Sequence, residues 1–297
     1  MDLISIDSLS DEEICGLIDR ALAFFDDVRG GKVAEPLTGK ILFNLFYENS
    51  TRTLMSFATA AHRLGMAVVT LPVEQSSVRK GESLDDTART LDAMRPDALV
   101  IRHPDDGAPA EVAAIMTAPV INAGDGTNEH PTQALLDAAT LIRHFGSLEG
   151  RTVAICGDIK HSRVARSNAK LLPRLGAAVR LAGPPPLMPE GSEMLGIDEA
   201  IAGADAVMML RVQRERMSDD LGDVLGDYLD AYGLNRERLA KAKPDAVVLH
   251  PGPMNRGIEI ESEIADDPQR SLIAVQVEMG VAMRMACLEV LVKKSGD

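Results

Sequence analysis

The chain has 297 residues, 45% of them apolar and 26% charged, a composition that fits two ordinary globular domains and argues against disorder. Its formal net charge is −14, from 31 Lys and Arg against 45 Asp and Glu, which disfavours general nucleic-acid binding because that needs a basic surface. No apolar run approaches the roughly 20 residues that span a bilayer. Met1-Asp2-Leu3-Ile4 lacks the basic and apolar regions of a secretory signal. Cys15, Cys156 and Cys287 form no CxxC pair and imply no disulfide framework, so a reducing, cytoplasmic setting is expected.

Along the chain, Ser10-Asp11-Glu12-Glu13 is a capping-box pattern. Ile14, Leu17, Ile18, Ala21, Leu22 and Phe25 follow at helical spacing, predicting an amphipathic helix over about 10–27. An alternation begins next. Short β-like runs at 41–46, 67–71, 97–101 and 119–122 are separated by helical patterns at 52–64, 84–94 and 109–117. A polar loop, 123–129, leads to His130-Pro131 and a helix of about 131–145 with proline at its favoured first position. The alternation resumes with strands expected at 152–156, 178–182, 206–210 and 245–249, and the proline cluster at 184–186 reads as a surface loop. A helix of about 276–293 closes the chain.

Strands alternating with helices imply parallel sheets covered on both faces. The expected architecture is α/β: two domains, 1–130 and 131–297, each a parallel sheet with helices on both faces, and a cleft between them. The closing helix could pack back on the first domain.

Open α/β sheets bind ligands beyond the carboxyl ends of their strands. Six strand ends here are followed by polar or turn-forming residues: Ser50-Thr51-Arg52-Thr53, Arg102-His103-Pro104, His130-Pro131-Thr132-Gln133, the segment from Gly157 to Arg163, Arg211-Val212-Gln213, and His250-Pro251-Gly252-Pro253. The first of these opens a helix. A helix N-terminus offers unpaired N–H groups and a positive dipole end to an anion. The hydroxyls add donors, and Arg52 adds a fork that matches phosphate oxygens.

Each residue also has an ordinary alternative. Ser50 or Thr51 could be a plain N-cap with Arg52 in solvent. Arg102 could pair with Asp105 or Asp106, and His130 could be a helix-entry residue. Arg163 could belong to a solvated basic face with Arg166 and Lys170. Arg211 to Arg216 could be a surface charge run, and Lys80 a loop lysine. Their joint placement at strand ends favours a lined anion site. Other chemistries lack their motifs: no G-x-G-x-x-G follows a strand, Gly39-Lys40 is not a P-loop, and neither HExxH nor G-x-S-x-G occurs.

Phe46-Tyr47-Glu48-Asn49-Ser50-Thr51-Arg52-Thr53, with Ser56-Phe57, resembles the carbamoyl-phosphate signature of the aspartate and ornithine carbamoyltransferases, and Arg102-His103-Pro104 and His130-Pro131-Thr132-Gln133 belong to the same pattern. Arg211-Val212-Gln213 and His250-Pro251-Gly252-Pro253-Met254-Asn255-Arg256 look like the aspartate branch. The ornithine branch typically has His-Cys-Leu-Pro and a Ser-Met-Gly segment, both absent here. The resemblance spans about residues 40–285. Gly252 stands where many members have leucine, at a position that uses its backbone.

The resemblance implies transfer of a carbamoyl group from carbamoyl phosphate to the amine of L-aspartate, a step toward pyrimidines, with neither cofactor nor metal. By the resemblance, Ser50, Thr51, Arg52 and Thr53 hold the phosphate, and Thr53, Arg102 and His130 polarise the carbonyl oxygen. Gln133 and the backbone at Pro251 and Gly252, with Pro253 completing the turn, hold the carbamoyl amide. Arg163, Arg211 and Gln213 hold aspartate. Lys80 and Ser76 reach in from a neighbouring subunit of a homotrimer. The resemblance leaves open whether regulatory chains or a dihydroorotase join, and whether the departing phosphate takes the amine proton. The alternative function is carbamoyl transfer to another amine, such as ornithine.

Overall fold

The computed structural model describes residues 1–32, 35–73, 77–191, 195–212 and 228–296. Ser76 and Gln213 lie outside them. The chain divides into two compact units, Met1–Ala139 together with the segment from Val277 on, and Thr140–Gln276.

In the first unit, α1 (Asp11–Arg29) precedes β1 (Ile41–Phe46), α2 (Thr51–Arg63), β2 (Ala67–Leu71), α3 (Leu84–Ala93), β3 (Ala98–His103), α4 (Ala108–Ala113) and β4 (Val120–Asp125). The capping box read at Ser10 is complete: its hydroxyl accepts the Glu13 N–H at 3.2 Å, and Glu13 accepts the Ser10 N–H at 3.0 Å. The four strands form a parallel sheet in the order β2-β1-β3-β4. Leu42 to Leu45 and Ala98 to Ile101 are buried at every position. Successive strand side chains point to opposite faces, so both faces of the sheet centre are covered. On one face Phe43, Leu45, Leu99 and Ile101 pack with Leu91 of α3 and Val112 of α4.

Helix α5 (Pro131–Phe145) opens at the predicted proline, and the unit boundary falls within it. The second unit contains β5 (Thr152–Cys156), α6 (Arg163–Arg174), β6 (Ala178–Ala182), α7 (Ile197–Ile201), β7 (Ala206–Met209), α8 (Tyr228–Tyr232), α9 (Arg236–Leu239), β8 (Val247–Leu249) and α10 (Ser262–Ala265). Its parallel sheet runs β6-β5-β7-β8, the order of the first sheet repeated. Its core packs Cys156, Val207, Met209 and Val248 against Ile201 of α7, Leu239 of α9 and Ile264 of α10.

Helix α11 (Ile273–Gly296) crosses back to the first unit. There Glu289 takes both Arg20 Nε, at 2.5 Å, and Arg20 Nη2, at 3.1 Å, from α1. Burial pushes the Glu289 carboxyl up, but the hydrogen bonds from Arg20 and Lys293 outweigh it and hold the group below the ordinary carboxylate range. Among the described residues no helix is long and apolar enough to cross a membrane.

Two elements differ from the pattern read in the sequence. Strand β4 runs on to Asp125, through what reads as polar loop, after a register shift between Ile101 and His103 on its neighbour. Helix α4 stops at Ala113, where Ile115 and Met116 both turn back on the Val112 carbonyl. The proline cluster makes a 3-10 turn, Pro185–Leu187, with Pro185 and Pro186 exposed.

Candidate active site

In both sheets the chain winds one way from the first strand to the second and the other way from the third strand onward. This makes a topological switch point between β1 and β3, and another between β5 and β7, where ligands bind beyond the strand ends.

At the first switch point Phe46 pairs with Arg102 in register, and the Tyr47 N–H donates to the Arg102 carbonyl at 2.9 Å. The β1–α2 turn and Arg102 therefore leave the sheet side by side. Ser50 is the N-cap of α2, and its hydroxyl accepts the Thr53 N–H at 3.4 Å. The first turn of α2 holds no acidic residue, unlike those of α1 and α3, so nothing in it neutralises the positive helix end. Thr51 and Arg52 are exposed and Thr53 is buried. Arg102 is not the surface partner of Asp105 or Asp106. Its Nε lies 3.2 Å from Glu48 Oε2 and its Nη1 donates to the Ala123 carbonyl at 3.3 Å. The Asp105 N–H instead goes to His103 Nδ1 at 3.1 Å, and burial holds the His103 ring below the usual imidazole range.

His130 is buried as the N-cap of α5, its carbonyl accepting the Gln133 and Ala134 N–H groups. The loop that delivers it is organised by Asp125, which the sequence did not single out. This buried carboxylate accepts from Gly107 N, Asn122 Nδ2, Asn128 Nδ2 and Glu129 N at 2.8–3.1 Å. Glu129 in turn accepts the Ile6 N–H at 3.0 Å. Each buried donor left unsatisfied costs about 1–3 kcal/mol. Asp125→Ala is therefore expected to lower unfolding stability by roughly 2–4 kcal/mol in urea titration. A change below about 1 kcal/mol would mean that the loop is ordered by other contacts. Gln133, one turn into α5, donates from Nε2 to the buried Asp137 Oδ1 at 2.9 Å.

In the second unit Cys156 pairs with Met209, and Leu210 donates to the Cys156 carbonyl at 2.8 Å. A Cβ on Gly157, whose φ is +130°, would lie 2.8 Å from the Leu210 carbonyl oxygen. Only glycine lets these two strand ends run so close. Arg163 is the first residue of α6, behind the N-cap Ser162, and is 93% buried rather than on a solvated face. Arg211 is half-buried, two residues beyond β7. Met208 pairs with Leu249, so His250 to Pro253 leave the sheet beside Arg211. Gly252 has φ +70° and precedes the cis bond to Pro253. The first unit thus carries Ser50, Thr51, Arg52, Thr53, Arg102, His130 and Gln133 at the C-terminal edge of its sheet. The second carries Arg163, Arg211, Pro251, Gly252 and Pro253 at the same edge of its own. Lys80 stands apart, exposed at the end of the 3-10 turn Ser77–Lys80. No group of three His, Cys, Asp or Glu among the described residues could hold a metal.

These features define an α/β protein of two parallel-sheet units that gather cations, hydroxyls and amides at their strand ends. The carbamoyl-phosphate-binding domain of the aspartate/ornithine carbamoyltransferases matches residues 1–143, and the aspartate/ornithine-binding domain matches residues 149–291. The aspartate carbamoyltransferase catalytic subunit of Granulibacter bethesdensis is 56% identical over 98% of this chain and 95% of that protein. That of Rhodospirillum rubrum is 54% identical over 97% and 93%. Aspartate transcarbamoylase from Trypanosoma cruzi, in complex with N-(phosphonacetyl)-L-aspartic acid, superimposes with a TM-score of 0.88 at 34% identity over 97% of this chain and 94% of that one. Ornithine carbamoyltransferase from Pyrococcus furiosus gives 0.88 at 27% identity over 98% and 97%. The chain belongs to the aspartate/ornithine carbamoyltransferase family.

Proposed function

We infer that this chain is an aspartate carbamoyltransferase, a transferase that moves the carbamoyl group of carbamoyl phosphate to the amine of L-aspartate and releases phosphate. The observation that carries the reading is the Ser50–Thr53 helix start beside Arg102 at the β1–β3 switch point, in a chain more than half identical to catalytic subunits of that name.

The chemistry follows from the residues. Carbamoyl phosphate is already activated, so the protein's task is to hold two mutually repelling anions in attack geometry and to stabilise the oxyanion that forms. Ser50, Thr51, Arg52 and Thr53 hold the phosphate with the α2 N–H groups. Thr53, Arg102 and His130 face the carbonyl oxygen and take up the charge that develops as the amine adds. Gln133 and the backbone at Pro251 and Gly252 hold the carbamoyl amide, and Pro253 completes that turn. Arg163, Arg211 and Gln213 hold the two carboxylates of aspartate. As the tetrahedral intermediate collapses, the C–O bond to phosphate breaks, the departing phosphate takes the proton that the amine nitrogen loses, and N-carbamoyl-L-aspartate remains. On this reading the first unit, Met1–Ala139 with the segment from Val277 on, serves chiefly carbamoyl phosphate, and the second, Thr140–Gln276, serves aspartate and lends the backbone at Pro251 and Gly252 to the carbamoyl amide. In this proposal the enzyme is a cytoplasmic homotrimer of pyrimidine biosynthesis in which Ser76 and Lys80 complete the neighbouring subunit's site.

Two titrations test the reading. N-(phosphonacetyl)-L-aspartate joins a phosphonate to aspartate and should bind far more tightly than phosphonoacetate or succinate, because linking makes the second contact intramolecular. Arg211→Ala should weaken aspartate use by one to two orders of magnitude, since a charge-assisted hydrogen bond contributes about 1.5–3 kcal/mol. The same variant should leave calorimetric binding of carbamoyl phosphate nearly intact. Equal losses for both ligands would contradict the division between the two units.

A further inference from the structure

The ring of His250 and the carboxylate of Glu259 are both fully buried, directly behind the turn that follows β8. His250 Nδ1 accepts the Gly252 N–H at 2.8 Å. A backbone N–H can only donate, so Nδ1 carries the lone pair and the neutral ring carries its proton on Nε2. That nitrogen lies 3.3 Å from Glu259 Oε1, and the same oxygen accepts the Asn255 N–H at 2.5 Å. The His250 N–H goes to Gln276 Oε1 at 2.9 Å. One histidine and one glutamate thus pin both ends of the turn from Gly252 to Asn255.

The consequence is stereochemical. The Pro251–Gly252 peptide is trans, the cis bond being the next one, and in a trans peptide the N–H and C=O point in opposite directions. With the Gly252 N–H drawn onto the buried ring, the Pro251 carbonyl must point away from it. We propose that His250 is a positioning residue: held as its Nε2–H tautomer by Glu259, it aims the Pro251 carbonyl at the N–H of the carbamoyl group and so lets the site tell a carbamoyl from an acetyl phosphate. This rests on the carbamoyl-transfer reading above. Acetyl phosphate has a methyl group where carbamoyl phosphate has NH2. A carbonyl held in place against it is left without a donor, which is a source of strong discrimination. A carbonyl free to rotate back toward the protein loses that discrimination.

The experiment compares the wild type with His250→Asn and His250→Leu, each first checked for folding by thermal melting. Asparagine places an acceptor oxygen near the position of Nδ1, whereas leucine fills the space without one. The readout is the ratio of dissociation constants for acetyl phosphate and carbamoyl phosphate, with inorganic phosphate as the reference ligand. His250→Leu is expected to lower the ratio about tenfold, His250→Asn to keep most of it, and phosphate binding to stay within about twofold in both. Nitrogen-15 NMR of the wild-type ring, assigned by the signal missing from His250→Asn, should show Nε2 protonated and Nδ1 bare. A folded His250→Leu with the wild-type ratio, equal loss in the two variants, or a ring protonated at Nδ1 would each overturn the proposal. If leucine does not fold, the asparagine ratio and the NMR tautomer decide it. A wild type that binds phosphate but not carbamoyl phosphate would instead overturn the functional reading, and the tautomer would still be read independently.

Discussion

Arg52→Ala is expected to fold normally and to lose at least about a hundredfold in kcat/KM. Arg52 is exposed on the first turn of α2, and surface substitutions of that kind change stability by only about 0.5 kcal/mol. The helix keeps its cap, because Ser50 and not Arg52 accepts the Thr53 N–H. The catalytic loss is larger. A guanidinium gripping phosphate oxygens bidentately makes two charge-assisted hydrogen bonds, each contributing about 1.5–3 kcal/mol, and charge accumulates on that phosphate as it departs. Arg52→Lys keeps the charge without the fork and should recover part of the loss. Steady-state kinetics with a urea titration on the same preparations would check both. Near wild-type turnover by a folded Arg52→Ala would remove this helix end from the site.

Mixing two dead variants should restore activity. In the proposed trimer each site takes Arg52 from one chain and Lys80 from the next, so Arg52→Ala and Lys80→Ala homotrimers are both inactive. A closed ring with head-to-tail interfaces has three junctions. Any mixed ring has one junction where a chain with intact Arg52 meets a chain with intact Lys80. Equal random mixing gives mixed rings in about three-quarters of cases, each with one live site of three, so about a quarter of wild-type activity returns. Lys80 suits such a role in being exposed at the end of a turn closed by Gly81, at φ +92°. Native mass measurement would confirm that chains had exchanged. Activity that stays at the parental level after exchange would mean that Lys80 serves its own chain or that the assembly is not this ring.

The sequence made some of this plain and concealed the rest for physical reasons. Strand β1 was legible because Ile41–Phe46 is an apolar run before a hydroxyl-rich helix start, and α5 because proline is favoured at a first helical position, where Pro131 stands. The last residues of β4 were hidden, since Ala123-Gly124-Asp125 has no apolar alternation and is held by its neighbour strand and by side-chain bonds. The short helices α8, α9 and α10 are four or five residues long, too short for a period to show. Within the site, Arg102 and His130 were visible as motif residues at strand ends. The carboxylates that organise their surroundings were not. Glu129 meets Ile6, 123 residues earlier, and Asp125 reaches back to Gly107. Such pairings are created by the sheet order, not by local spacing. His250 was seen only as the start of a turn, and its contact with Glu259 needs the fold of the whole loop.

The choice of aspartate as acceptor is read out by phosphate release from carbamoyl phosphate by the wild type in the presence of L-aspartate, L-ornithine or putrescine, with the carbamoylated product quantified alongside. Release is expected with aspartate alone, matched one-to-one by N-carbamoyl-L-aspartate, because two carboxylates are needed to engage Arg163 and Arg211 together. Release that depends on ornithine or putrescine, or that no amine stimulates, would contradict that choice.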